Sequence, residues 1–109
     1  CLPCHGALGR GDGLVSLRAS RLPPATGTVW VPPIDVHDPR IVAMPEGEIF
    51  NTITHGIRNM RGYGDKLTAE DRWAVIAYVR ALQASRRATL DDLPLAERER
   101  LNALPEGGR

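Results

Sequence analysis

CLPCHGALGRGDG, residues 1–13, places both cysteines of the chain within four positions, follows them with a histidine and then with a run of glycines. Two thiols in a C-x-x-C spacing with a histidine directly behind them form the pattern of covalent haem attachment. Cys1 and Cys4 are spaced to add across the two vinyl groups of a porphyrin. His5 then lies beneath the iron as its proximal ligand. Two other chemistries use a similar pair of thiols. A structural zinc site needs four Cys, His or carboxylate ligands, yet the other histidines, His37 and His55, stand eighteen positions apart with no H-x-x-x-H type pair. A thioredoxin-like pair opens a helix within a βαβ unit, and no such alternation follows here. The residues fit haem c, one group, held through Cys1 and Cys4.

Composition agrees. A chain of 109 residues makes one domain. Its aromatic residues are Trp30, Phe50, Tyr63, Trp73 and Tyr78, against 11 glycines and 9 prolines, so much of it reads as loop. A wrapped porphyrin would supply the missing apolar mass and stabilise the fold by binding to it. The formal charge of +1, with arginines interleaved among acids, leaves no footprint for nucleic acid. Arg10–Asp12 spells RGD, read here as part of a glycine turn rather than an adhesion motif. No stretch approaches transmembrane length. Haem c is attached outside the bacterial cytoplasm and no leader precedes Cys1, so a mature or trimmed form is expected. A lipidated Cys1 would compete with haem for the same sulfur.

Along the chain, residues 13–40 are irregular and proline-rich, predicting an Ω-like loop over one haem edge with Trp30, Val31 and Ile34 turned inward. Pro45, Glu46, Glu48 and Gly56 bracket a helix over about 46–55, with Ile49, Phe50, Ile53 and Thr54 on one face. IRNMRGYGDKL reads as a glycine-containing loop. Thr68 and Asp71 form a capping box opening a helix through DRWAVIAYVRALQA, with Trp73, Ile76, Ala77 and Arg80 on one stripe. Past Ser85 the chain turns polar, with a short helix expected over 94–104.

The sixth iron ligand decides between electron transfer and open-site chemistry. Met60 lies in the loop between the two helices, where Gly62 and Gly64 let the chain curve over a ring face. Met44, His37 and His55 are the alternatives. Met44 stands beside Pro45, in a Met-Pro pair of the kind that often surrounds an axial methionine. The proximal His5 needs an acceptor for its Nδ1–H, and the carbonyl of Pro32 or Pro33 is the expected one. Pro33, Trp30 and Tyr63 complete the expected cofactor-binding set.

CLPCHG with GRGDG behind it, PEGEIFNTITHGIRNM, and LTAEDRWAVIAYVRALQ together resemble class I cytochrome c. The run from Pro45 to Ser85 and the tail ATLDDLPLAERERL are similar to the monohaem cytochrome subunit of bacterial alternative complex III. The resemblance implies an all-α class I fold, helices and loops wrapped around one covalent haem, with a haem domain over 1–87 and a partner-docking extension over 88–109. It also implies an electron-transfer subunit, not an enzyme, at the periplasmic face of the inner membrane, sometimes lipid-anchored. Its partners would be a multihaem cytochrome as donor and a terminal oxidase or soluble cytochrome as acceptor. Two departures stand out. Arg61 follows Met60 where the family usually has proline, and nothing precedes Cys1 where the family has a helix crossing the last one. Tyr78, Val79 and Leu82 are expected to face that upstream helix.

Three arginines, Arg10, Arg58 and Arg61, flank the haem motif and Met60 and are expected to ring the haem edge for docking. Leu95, Leu101 and Leu104 are the tail's apolar contacts. The competing functions are a diffusible periplasmic cytochrome c and an open-site haem enzyme or gas sensor.

Overall fold

The computed structural model describes residues 1–24, 29–105 and 107. Helix accounts for 56% of the chain and strand for 4%, so the fold is all-α, that of a small cytochrome c. Six helices are present among the described residues: α1 (Leu2–His5), α2 (Leu14–Arg21), α3 (Pro39–Val42), α4 (Glu46–His55), α5 (Ala69–Arg87) and α6 (Leu95–Asn102). A two-strand hairpin, β1 (Gly56–Ile57) and β2 (Met60–Arg61), joins α4 to the loop before α5. It is antiparallel, pairing Gly56 with Arg61 and Ile57 with Met60.

α4 and α5 form as their caps dictate. α4 starts after Pro45 and stops at Gly56, whose φ of 78° suits glycine. In α5, Thr68 Oγ1 accepts from the Asp71 N–H at 3.1 Å while Asp71 Oδ2 accepts from the Thr68 N–H at 3.3 Å. The helix runs to Arg87, three residues past the expected end at Ala84. Ile49 and Ile53, one turn apart on α4, bury against Ile76 of α5. Met44, Phe50, Met60, Tyr63 and Val75 pack around that cluster. Phe50 stacks on Trp73 with centroids 4.4 Å apart, and the Arg72 guanidinium lies 4.7 Å over the Phe50 ring.

The segment read as irregular over 13–40 contains two helices. α2 was hidden because its apolar residues do not mark its buried face: Leu14, Val15 and Leu17 are exposed, and Ser16 is the buried residue. α3 is a single turn, capped by the Asp38 carboxylate accepting from the Arg40 N–H at 2.9 Å. Val31 and Ile34 lie on the surface of the polypeptide and Trp30 is half-buried. The part of the expected loop over 25–28 lies outside the described residues, as do 106, 108 and 109 of the expected extension. Tyr78 is exposed on α5, while Val79 and Leu82 are half-buried.

α1 packs on α2, and α4 packs on α5. Residues 35–46 tie the two pairs together through polar contacts. The Val36 N–H donates to the Gly9 carbonyl at 2.9 Å, and Gln83 Nε2 donates to the Val36 carbonyl at 2.7 Å. His37 Nε2 bonds the Leu8 carbonyl at 2.9 Å. Asp35 pairs with Arg86 at 3.0 Å. Burial works to raise the Asp35 carboxyl's pKa, but bonds from the His37 N–H and Arg86 outweigh it and hold it below its usual value. α6 packs on no other element as closely as these pairs do. A 3-10 turn over Leu90–Asp92 precedes it, and Arg98 closes onto the Leu93 and Asp91 carbonyls at 2.8 and 2.7 Å. The radius of gyration is 17.4 Å, against about 13 Å for a compact chain of ~100 residues, so the molecule is elongated.

Candidate haem-attachment site

Cys1, Cys4 and His5 share one helical turn. Pro3 sits in the first turn of α1, where its missing N–H costs nothing, and Gly6 at φ 81° ends it. The N–H groups of Cys4 and His5 both donate to the Cys1 carbonyl, at 3.2 and 2.8 Å. The glycine loop then folds back on the turn it follows. The Gly11 N–H donates to the His5 carbonyl at 2.8 Å and the Gly13 N–H to the Cys4 carbonyl at 3.1 Å. Both positions require glycine. A Cβ at Gly13 would overlap the Pro3 carbonyl, and one at Gly11, which is at φ 80°, would overlap the Pro33 carbonyl oxygen. Gly11 is buried at the centre of the RGD tripeptide, as a glycine turn requires, with Arg10 and Asp12 exposed on either side.

Both cysteines are free thiols, Cys1 exposed and Cys4 half-buried. His5 Nδ1 is buried and has no hydrogen-bond partner. Burial pushes its imidazole below the ordinary histidine pKa, which favours the neutral form that ligates metal. The bond expected from His5 Nδ1 to the Pro32 or Pro33 carbonyl is not formed. The Pro33 carbonyl instead lies against Gly11, behind the motif. Two free thiols and an imidazole on one turn are the donor set that covalent haem requires, so the residues present fit that group. Among the described residues no group of three or more His, Cys, Asp or Glu side chains gathers as a metal site.

The remaining expected residues fall in two places. Met60 on β2 and Tyr63 after it are half-buried against the Ile49, Ile53 and Ile76 core. The Tyr63 N–H donates to the Ile53 carbonyl at 2.8 Å, which holds this loop to the end of α4. Trp30 belongs instead to the α2 side, its Nε1–H donating to Ser16 Oγ at 3.3 Å. It helps line a hollow of about 580 Å³ between the end of α2, Pro23, Pro24, Val29 and Asn59, the residue before Met60. Of the alternative ligands, Met44 packs on the core, His37 is engaged with the Leu8 carbonyl, and His55 is exposed. Arg10, Arg58 and Arg61 are all exposed.

Sequence reasoning missed Arg80 and Gln83. Gln83 is 1% exposed. Arg80 donates to Glu46 Oε1 at 3.0 Å, to the Ile41 and Val42 carbonyls at 3.3 and 3.1 Å, to Gln83 Oε1 at 3.0 Å, and to the Met44 carbonyl. The signal was a charged residue one turn beyond Ile76 on an apolar stripe.

A small helical fold with a C-x-x-C-H turn closed by its own glycine loop defines a c-type cytochrome, an electron-transfer haem protein that binds haem c. The family described as cytochrome C oxidase, cbb3-type, subunit III matches residues 1–79, and the chain belongs to it. No curated protein matches the chain. No helix among the described residues is long and apolar enough to cross a membrane.

Proposed function

We propose that the chain carries one haem, joined through Cys1 and Cys4, with His5 as proximal and Met60 as sixth iron ligand. The observation that carries this reading is the single helical turn that presents two free thiols and His5 together, closed from behind by its own glycine loop. When bound, haem supplies a one-electron couple at its iron. The chain's own residues do the rest. α1 would present the thiols and the imidazole, and Met60 would offer a thioether from a half-buried hairpin. Trp30 and Tyr63 would flank the group from the α2 and α4 sides, and Pro33 would back the attachment turn. A protein-derived sixth ligand fills the iron's last position and makes the chain a carrier rather than an enzyme or gas sensor.

Residues 1–87 form the haem unit and 88–109 a docking extension. The chain serves as the monohaem subunit of alternative complex III at the periplasmic face of the inner membrane. There it passes electrons from a multihaem subunit towards a terminal oxidase or soluble carrier. The resemblance of residues 45–101 to that subunit supports this reading. A second reading, the same relay inside a cbb3-type oxidase, is favoured by the family match over 1–79. Purification from membranes with mass identification of the accompanying subunits separates the two. A multihaem cytochrome with quinol-oxidising subunits supports the first, haem–copper oxidase subunits support the second, and a protein recovered alone points to a diffusible carrier. A purified protein with no Soret band overturns haem binding itself.

A further inference from the structure

Two thioethers, those of Met44 and Met60, pack on the same small core of Ile49, Ile53 and Ile76. Their main chains are held in different ways. Met44 lies in the corner between α3 and α4, and that corner is fastened to α5 by one side chain. The guanidinium of Arg80 reaches the Ile41 and Val42 carbonyls at the end of α3, the Met44 carbonyl beyond them, and Glu46 Oε1 at the start of α4. Gln83, buried one turn on, accepts a further bond from Arg80 at 3.0 Å and donates to the Val36 carbonyl at 2.7 Å. Pro45 limits the same corner from the following position. The Met60 main chain is held by a strand pair two residues long and, three residues on, by the Tyr63 N–H on the Ile53 carbonyl, and Ile57, Arg58, Asn59 and Arg61 around it are exposed.

We infer that Arg80 is a positioning residue for iron ligation. By clamping the Met44 corner to α5 it keeps the Met44 thioether in the core, and it leaves Met60 as the one methionine free to ligate. This rests on the reading above, in which the sixth ligand is a thioether. A planar guanidinium with a fork of donors is required because the acceptors belong to four separate residues of one corner, Ile41, Val42, Met44 and Glu46. A lysine supplies the charge without the fork.

The test is proton NMR of the full-length haem-loaded protein in its ferrous form, where an iron-bound methionine gives one set of strongly upfield-shifted signals. The unaltered protein is expected to show one set. Arg80→Gln is expected to show a second set, from Met44, and adding Met44→Leu to that variant is expected to remove it and restore the single set. Arg80→Lys, which keeps the charge in α5 and guards against a folding failure of the glutamine variant, is expected to show the second set at lower intensity. A single set coincident with that of the unaltered protein in the Arg80 variants overturns the inference, as does a second set that survives Met44→Leu. Met60→Ala in the otherwise unaltered chain separates the two readings. Loss of the shifted signals there together with unaffected Arg80 variants defeats only the clamp. Their retention defeats the ligation by Met60 itself.

Discussion

Gln83 Nε2 donates to the Val36 carbonyl at 2.7 Å from a side chain that is 1% exposed, so an amide on α5 completes the backbone of a loop 47 residues earlier. The same Val36 donates its N–H to Gly9. One short chain of bonds thus runs from α5 to the loop behind the haem motif. Removing a partner from a buried pair leaves the other unsatisfied, at a cost of about 1–3 kcal/mol. Gln83→Leu should lower the unfolding free energy by that amount, seen as a lower urea midpoint with the slope unchanged. An unchanged midpoint would show that water reaches the Val36 carbonyl.

Met60→Ala should abolish the ferric methionine–iron band at the red end of the spectrum while haem stays covalently attached. Met44→Ala should keep the band. The check is the visible spectrum of each purified variant beside its haem content after denaturation, and the opposite pair of results exchanges the two residues' roles.

Glu46 gives a pH dependence whose sign is fixed. Its carboxyl is held below the ordinary range, first by its own backbone N–H at the start of α4 and then by Arg80. A group with a lowered folded pKa stabilises fully above its unfolded value, near ~4.3 for glutamate, and that contribution is lost as pH falls through the folded value. The urea midpoints of the unaltered protein and Glu46→Gln should therefore differ by a constant amount from neutral pH down to about 5 and converge as pH falls below ~4.3 through the lowered folded value. A gap that persists into stronger acid would rule out the charged pair as its source.

Docking through the exposed Arg58 and Arg61 predicts that reversing both to Glu slows electron transfer to the physiological partner at low salt, with the difference shrinking as ionic strength rises. Stopped-flow rates across a salt series measure this. Equal rates at every ionic strength would remove these arginines from the docking face. Deletion of residues 88–109 should leave the spectrum unchanged and weaken co-purification with the complex.

α4, α5 and the attachment turn were legible because each is marked by residues whose effects are local: Pro45 and Gly56, the Thr68–Asp71 box, and the Cys-x-x-Cys-His run. α2 was not, since its apolar side chains face outward and a serine faces in, which reverses the pattern that periodicity reads. The hairpin is too short to alternate. The displaced Pro33 carbonyl and the reach of Arg80 both depend on where distant segments meet. No neighbour in sequence encodes that.

The attachment turn carries one further implication. Every bond that shapes it, from Cys4 and His5 to Cys1 and from Gly11 and Gly13 back to His5 and Cys4, is made by main-chain atoms. The sulfur atoms and the imidazole hold none of it. Reactivity and shape are therefore inherited separately at this site, and lesions should fall into two phenotypes. Losing a thiol would leave an intact turn with nothing to bond, whereas crowding Gly11 or Gly13 would leave intact thiols on a turn that no longer presents them.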